Sequence, residues 1–325
     1  MADAAGFAMR WIAATGAALI RAWVIPFGKR CDPHSLPWLA GPVGGPSLEM
    51  GPLAYRDIAA NQGWTVDEQQ SDTGLVEDFA SLASPSFDPG QVHPEIHRFY
   101  ERTSEYDLEA WNHSPFPGRL LLWLLVNTVS RAMQQLEFPV TGLDLARGLV
   151  SQVLPLRDAQ GRRVCTAWIR HRRAAPGSRD RVVYTGFYGD GVAPLHALPC
   201  VRVVFPLPRG NATVLLGPSV DPRGGDPSRG CAGLILSSAG RGFGDVGFYR
   251  VVERSPTRWR VLRLRTLHEH FALAVADDGE IRCDHRVTVL GITAMQMHYK
   301  ITRRPAAHEA VHAPIERAGE KPESS

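Results

Sequence analysis

Between residues 201 and 301, apolar and polar side chains alternate in short runs divided by Gly, Pro and Asp-Gly turns. The clearest run covers 280–290. There Ile281, Cys283, His285, Val287 and Val289 alternate with Glu280, Arg282, Asp284, Arg286 and Thr288. Side chains two apart share one face of a strand, so this run predicts a strand with one apolar and one charged face. Phe271, Leu273 and Val275 predict a strand just before it, and Asp278-Gly279 between the two is a hairpin signal. After Gly291, Met295, Met297, Tyr299 and Ile301 alternate with Gln296, His298 and Lys300. Val201, Val203, Phe205 and Leu207 form another run, turned at 208–211 so that 213–216 returns antiparallel. Further strands are predicted over 148–156, 164–171, 181–188, 234–237, 248–253 and 259–264. One apolar face per strand is the pattern of an antiparallel sheet curved over a core, or of a barrel.

Upstream the period changes. Residues 52–62 and 94–103 predict short helices, the second opening on Pro94. Residues 72–82 predict another, with Asp72 as N-cap and Leu75, Val76, Phe79 and Leu82 on one stripe. The strongest helical pattern covers 118–136. Leu121, Leu122, Leu125, Val129, Ala132, Met133 and Leu136 make its apolar face, and Asn127, Ser130, Arg131, Gln134 and Gln135 its polar one. Residues 105–112 are mixed and predict a first strand. The Pro- and Gly-rich stretch 30–52 predicts irregular chain, draped over apolar surface through Leu36, Trp38 and Leu39.

The expected fold is therefore α+β: N-terminal helices packed on a large curved antiparallel β-sheet or half-open β-barrel of roughly eight to ten strands. Residues 1–304 are expected to form a single integrated domain, with 1–140 a mainly helical layer and 141–304 the antiparallel body. Residues 305–325 read as a disordered tail.

Composition narrows the function classes. Hydrophobic residues make up 44% of the 325, enough for a packed core. The formal charge is +3, and of 36 basic residues only Lys29, Lys300 and Lys321 are lysines. The 33 acidic residues are interspersed with the arginines rather than segregated from them, which argues against a nucleic-acid footprint. Five widely spaced cysteines without Cys-x-x-Cys read as reduced thiols and suit a cytoplasmic protein. The apolar run 11–27 is broken by Arg21 and Pro26, short of the roughly 20 apolar residues of a membrane span. It reads as a helix on the body; the alternative is an interfacial segment making membrane-surface contact through residues 10–30, which would leave the protein peripheral to the membrane.

Candidate chemistry is sparse. No P-loop lysine, Gly-x-Ser-x-Gly or zinc-ligand spacing occurs, so neither metal nor cofactor is expected. His268-Glu269-His270 is the densest ionisable cluster. His285 lies on the apolar face of its strand, where it reads as a core residue or as a base in a cavity. Tyr184, Tyr188, Tyr249 and Tyr299 are candidates to offer hydroxyls to a ligand, and Met295 and Met297 to give it adaptable apolar contact.

The runs Phe99-Tyr100-Glu101-Arg102-Thr103-Ser104, Val204-Phe205-Pro206-Leu207-Pro208, Gly210-Asn211-Ala212-Thr213, Gly242-Phe243-Gly244-Asp245, Asp284-His285 and His298-Tyr299 resemble those of a family of uncharacterised bacterial proteins common in actinomycetes. The stretch from Leu290-Gly291 to His298-Tyr299 is more remotely similar to the end of the domain of unknown function of YndJ-type proteins. Neither resemblance implies an activity or a residue role. The expected function is a binding protein for a hydrophobic or lipid-like small molecule in a cavity of the sheet. The alternative is a cofactor-free isomerase, cyclase or hydrolase acting on an apolar metabolite.

Overall fold

The computed structural model describes residues 24–45, 53–68, 73–130, 135–137, 149–172, 181–225 and 230–304. The N-terminal part contributes β1 (Lys29–Cys31), α1 (Ala54–Asn61), β2 (Thr65–Val66), α2 (Pro94–Glu101), β3 (Tyr106–Asn112) and α3 (Gly118–Leu125). The body follows with β4 (Leu149–Arg157), β5 (Arg163–Arg172), β6 (Arg181–Ala193), β7 (Leu198–Leu207) and β8 (Gly210–Asp221). It ends with β9 (Gly233–Ser237), β10 (Gly247–Ser255), β11 (Arg258–Arg263), β12 (Leu267–Val275), β13 (Ile281–Val289) and β14 (Ile292–Arg303). Antiparallel sheet dominates, with few helices.

Among the described residues fourteen strands belong to one sheet, against the eight to ten expected. The N-terminal part contributes three of them, the expected β3 and two short strands, β1 and β2, that the pattern did not announce. β1 pairs with β11, β2 with β4, and β3 with β14. The main order is β2-β4-β5-β6-β7-β8-β9-β12-β13-β14-β3. At β8 the sheet forks. Gly210 to Leu215 pair with β10, whereas Gly217 to Asp221 pair with β9. β7 and β8 are consequently covered on both faces: Val203 and Val214 point into the main core, Cys200 and Leu215 into a second one. A third cluster forms where Tyr55 and Ile58 of α1 cover Ala167 and Ile169 of β5.

The sheet is not closed, for no ladder joins β3 to β4 among the described residues. It does curl strongly. The Arg170 guanidinium of β5 lies over the Tyr299 ring of β14, 5.4 Å from its centroid, although several strands separate the two in the order. The main core draws buried side chains from β3 to β9, from β12 to β14 and from α2.

Two helical expectations are corrected. Residues 73–82 form no α-helix; only Phe79–Leu82 make a 3-10 turn, and Asp72 lies outside the described residues. Leu75, Val76, Phe79 and Leu82 are nonetheless all buried. The segment runs against α2, with the amides of Leu75 and Val76 both donating to the Tyr100 carbonyl. A Cβ at Gly74 would overlap the backbone of Tyr100 and Glu101, so glycine is required by this close approach. Asp78 then caps the 3-10 turn through the Ala80 amide at 2.8 Å, and Glu101 accepts the Phe79 amide at 2.9 Å.

The helix expected over 118–136 ends early. α3 stops at Leu125 and gives way to a π-helical turn, Val126–Ser130. Gly118 starts it hard against β14, where a Cβ would overlap the Thr293 carbonyl. Leu122 and Val126 face the body, whereas Leu120, Leu121, Trp123 and Leu124 are exposed. Gln135, expected on a solvent-facing helix surface, is fully buried. Its amide donates to the carbonyls of Thr185 at 3.0 Å and Pro206 at 3.2 Å, and accepts the Thr185 amide at 3.0 Å. The side-chain amide thus extends the β6–β7 ladder at the point where Pro206 has no N–H to give.

Residues 1–23 lie outside the described ones, as does the tail from 305; residues 24–27 are helical, the Gly28 amide closes that turn on the Val24 carbonyl, and Lys29–Cys31 is strand. Pro37-Trp38-Leu39 drapes over the second core, as its composition implies.

Candidate functional site

Inside the curl of the sheet lies a cavity of about 70 Å³. Alternation places its wall. On β12, Glu269, Phe271 and Leu273 point inward; on β13, Cys283 and His285; on β14, Tyr299 and Ile301. Across the interior, β5 contributes Trp168 and Arg170, and β6 contributes Tyr184 and Tyr188. Leu75 and the α2 residues Phe99 and Tyr100, with Leu108 of β3, close the side where the sheet is unlatched.

His285 and Glu269 meet in this wall. His285 stands directly opposite Phe271, and Glu269 opposite Val287, so the two are diagonal neighbours within reach of long side chains. His285 Nε2 lies 2.9 Å from Glu269 Oε1, with both residues buried. The imidazole stacks on Phe271 at 4.0 Å between centroids, and Tyr299 lies on a similar plane at 6.3 Å. His285 Nδ1 is buried without a hydrogen-bond partner among the described residues. The Glu269 backbone is fixed separately: its amide donates to Ser238 Oγ at 2.8 Å and its carbonyl accepts the Ser238 amide at 2.9 Å.

Arg170 is the residue that sequence reasoning missed. It is 2% exposed, and its guanidinium lies over the rings of Trp168 (5.5 Å) and Tyr299 (5.4 Å). A pattern was there to be read: Thr166, Trp168 and Arg170 alternate with Cys165, Ala167 and Ile169, which makes a strand with two covered faces. Tyr184 sits opposite Arg170 in the ladder. Burial pushes the Tyr184 hydroxyl pKa up, partly offset by the Arg170 charge and by hydrogen bonds from Tyr188 and Arg170. Tyr188 is pushed well up, by burial and by its neighbour Tyr184. Both phenols are therefore neutral donors across the physiological range.

The other candidates fall elsewhere. His268 and His270 take the opposite face of β12 from Glu269, so the triplet does not act as one cluster. Burial, followed by the charge of Arg286, lowers the His270 pKa. Met295 and Met297 are buried in the main core but do not line the cavity, although Met297 Sδ accepts the Tyr299 hydroxyl at 3.4 Å. Tyr249 belongs to the second core and does not line the cavity. Its hydroxyl accepts the Gly244 amide at 3.1 Å and donates to the Asp245 carbonyl at 2.5 Å, with Trp38 and Phe243 packed edge-on. Asp284 pairs with His298 on the outer face, 2.5 Å apart, away from His285. No group of three or more metal-ligating side chains occurs among the described residues.

No family model matches this chain, and no solved structure matches it. It is similar to the uncharacterized membrane protein YndJ of Bacillus subtilis (strain 168). The two are 28% identical over 257 residues, which is 75% of this chain and 40% of YndJ. The chain thus spans two-fifths of that relative's length. The match supports the remote similarity to YndJ-type proteins. Among the described residues, no helix is long and apolar enough to cross a membrane.

Proposed function

We propose that the protein binds a small, largely apolar molecule inside the curved sheet, which encloses it as a half-open barrel. The cavity carries this reading: aromatic and aliphatic walls with a few convergent polar groups are the make-up of a ligand site. Its 70 Å³ is about half of the ~150 Å³ that accommodates a benzene ring. A lipid-like tail therefore needs wall side chains to move outward, and the side built from Leu75, Phe99, Tyr100 and Leu108 lies beside the open sheet edge. Native mass spectrometry of the chain purified from its own host should show a co-purifying apolar compound. His285→Phe, which keeps the ring stack on Phe271, should stay folded and lose that compound; a variant loaded like the wild type would overturn the assignment of His285.

A second reading, a cofactor-free isomerase, cyclase or hydrolase, is favoured by the Glu269–His285 pair. A carboxylate on Nε2 orients the imidazole, and Nδ1, which has no partner, becomes the atom for proton transfer. Recovery of a chemically altered compound after incubation separates this reading from simple carriage.

Contact with a membrane surface completes the proposal. Its support is the exposed row Leu120, Leu121, Trp123 and Leu124 with Phe116 beside it, Arg119 at its edge, and the similarity to a protein named as a membrane protein. The chain should co-sediment with anionic phospholipid vesicles, and Leu120→Glu/Trp123→Glu should reduce that several-fold. Equal sedimentation of the two forms would remove α3 from the contact.

A further inference from the structure

We infer that the interior site reads an acid: Arg170 receives a carboxylate, so that the ligand is a monocarboxylic acid with an apolar body. This inference rests on the interior being a ligand site. A guanidinium stays ionised at all physiological pH values, and a buried cation is costly unless paired and hydrogen-bonded. Arg170 is 2% exposed, yet its Nε and Nη2 have no hydrogen-bond partner among the described residues. Those two atoms form one edge of the guanidinium, with parallel N–H bonds at the spacing of the two oxygens of a carboxylate. The guanidinium also lies over the Trp168 and Tyr299 rings.

Glu269 does not supply the missing charge contact. Among the described residues it is the sole carboxylate in the cavity wall, it is engaged by His285 Nε2, and no ion pair joins it to Arg170. The other polar groups on the same side are donors as well. Trp168 Nε1 is buried without a partner, two residues from Arg170 on the same strand face. A wall rich in donors and bearing a permanent cation is complemented by a molecule that brings acceptors and one negative charge. The remaining wall is apolar, which selects against sugars and polyanions. The volume fits a short acid directly, or the carboxylate head of a longer acid whose tail displaces the wall.

The test uses the full chain and matched ligands by isothermal titration: butyrate and decanoate against butanol and decanol. The acids should bind at least about tenfold tighter than their alcohols, one factor of ten corresponding to ~1.4 kcal/mol. Butyrate binding identifies a free short acid, and decanoate binding alone identifies the head group of a chain. Arg170→Lys keeps the charge without the fork and should weaken acid binding; Arg170→Met should abolish the preference for acid over alcohol. Alcohols binding as well as acids would overturn this inference and leave apolar ligand binding standing. Binding of neither class would overturn both. The wild-type comparison decides even where a variant fails to fold.

Discussion

Phe79→Ala should destabilise the protein by roughly 3–5 kcal/mol, the range for deleting a fully buried aromatic ring. Phe79 has no exposed surface. Its ring stacks on His97 at 4.4 Å and packs on Tyr100 at 5.7 Å and on Phe87 at 6.4 Å. Residues 73–92 hold only single-turn helices, which have no independent stability in water. Packing of a few buried side chains, with Phe79 at their centre, is what keeps this segment on the sheet. The loss should appear as a lower urea midpoint. It should also loosen the cavity wall, because Tyr100 packs on Phe79 on one side and lines the cavity on the other. A loss below about 1 kcal/mol would mean that the Gly74 contact and the caps hold the segment without the ring.

Glu269→Leu should cost about 1–3 kcal/mol, since it leaves a buried imidazole with neither nitrogen paired. His285→Phe should cost a similar amount by leaving the carboxylate buried and alone. The double variant should recover most of either loss, because replacing both members of a buried polar pair by apolar groups is close to neutral. The expected coupling is therefore at least ~1 kcal/mol, measurable by a double-mutant cycle in urea. The Ser238 bridges to the Glu269 backbone should keep β12 in place throughout. Additive losses would show that the 2.9 Å contact contributes nothing of its own to stability.

The strands of the second half were legible in the chain because alternation is a local property. The 281–289 run, its Asp278-Gly279 turn and the Met295–Ile301 run have the faces that the pattern assigns. The inward position of His285 follows from counting by twos from Ile281. The helical pattern of 118–136 misled beyond Leu125 for the same reason in reverse: spacing records which side chains are apolar, not what will cover them. Gln135 looked like a surface residue until Pro206, seventy-one positions away, left a gap in the ladder that its amide fills.

The cavity chemistry was decided at longer range still. Glu269 could be seen beside two histidines, but its partner is His285, across a hairpin and diagonal to it. Arg170 looked like one more arginine near a strand end, in a chain with 33 of them. Its burial depends on β14 curling over the face of β5 that α1 does not cover. Local patterning determined which side chains share a face. Curvature of the sheet decided which faces meet, because it accumulates over many strand pairs and is written in no single one of them.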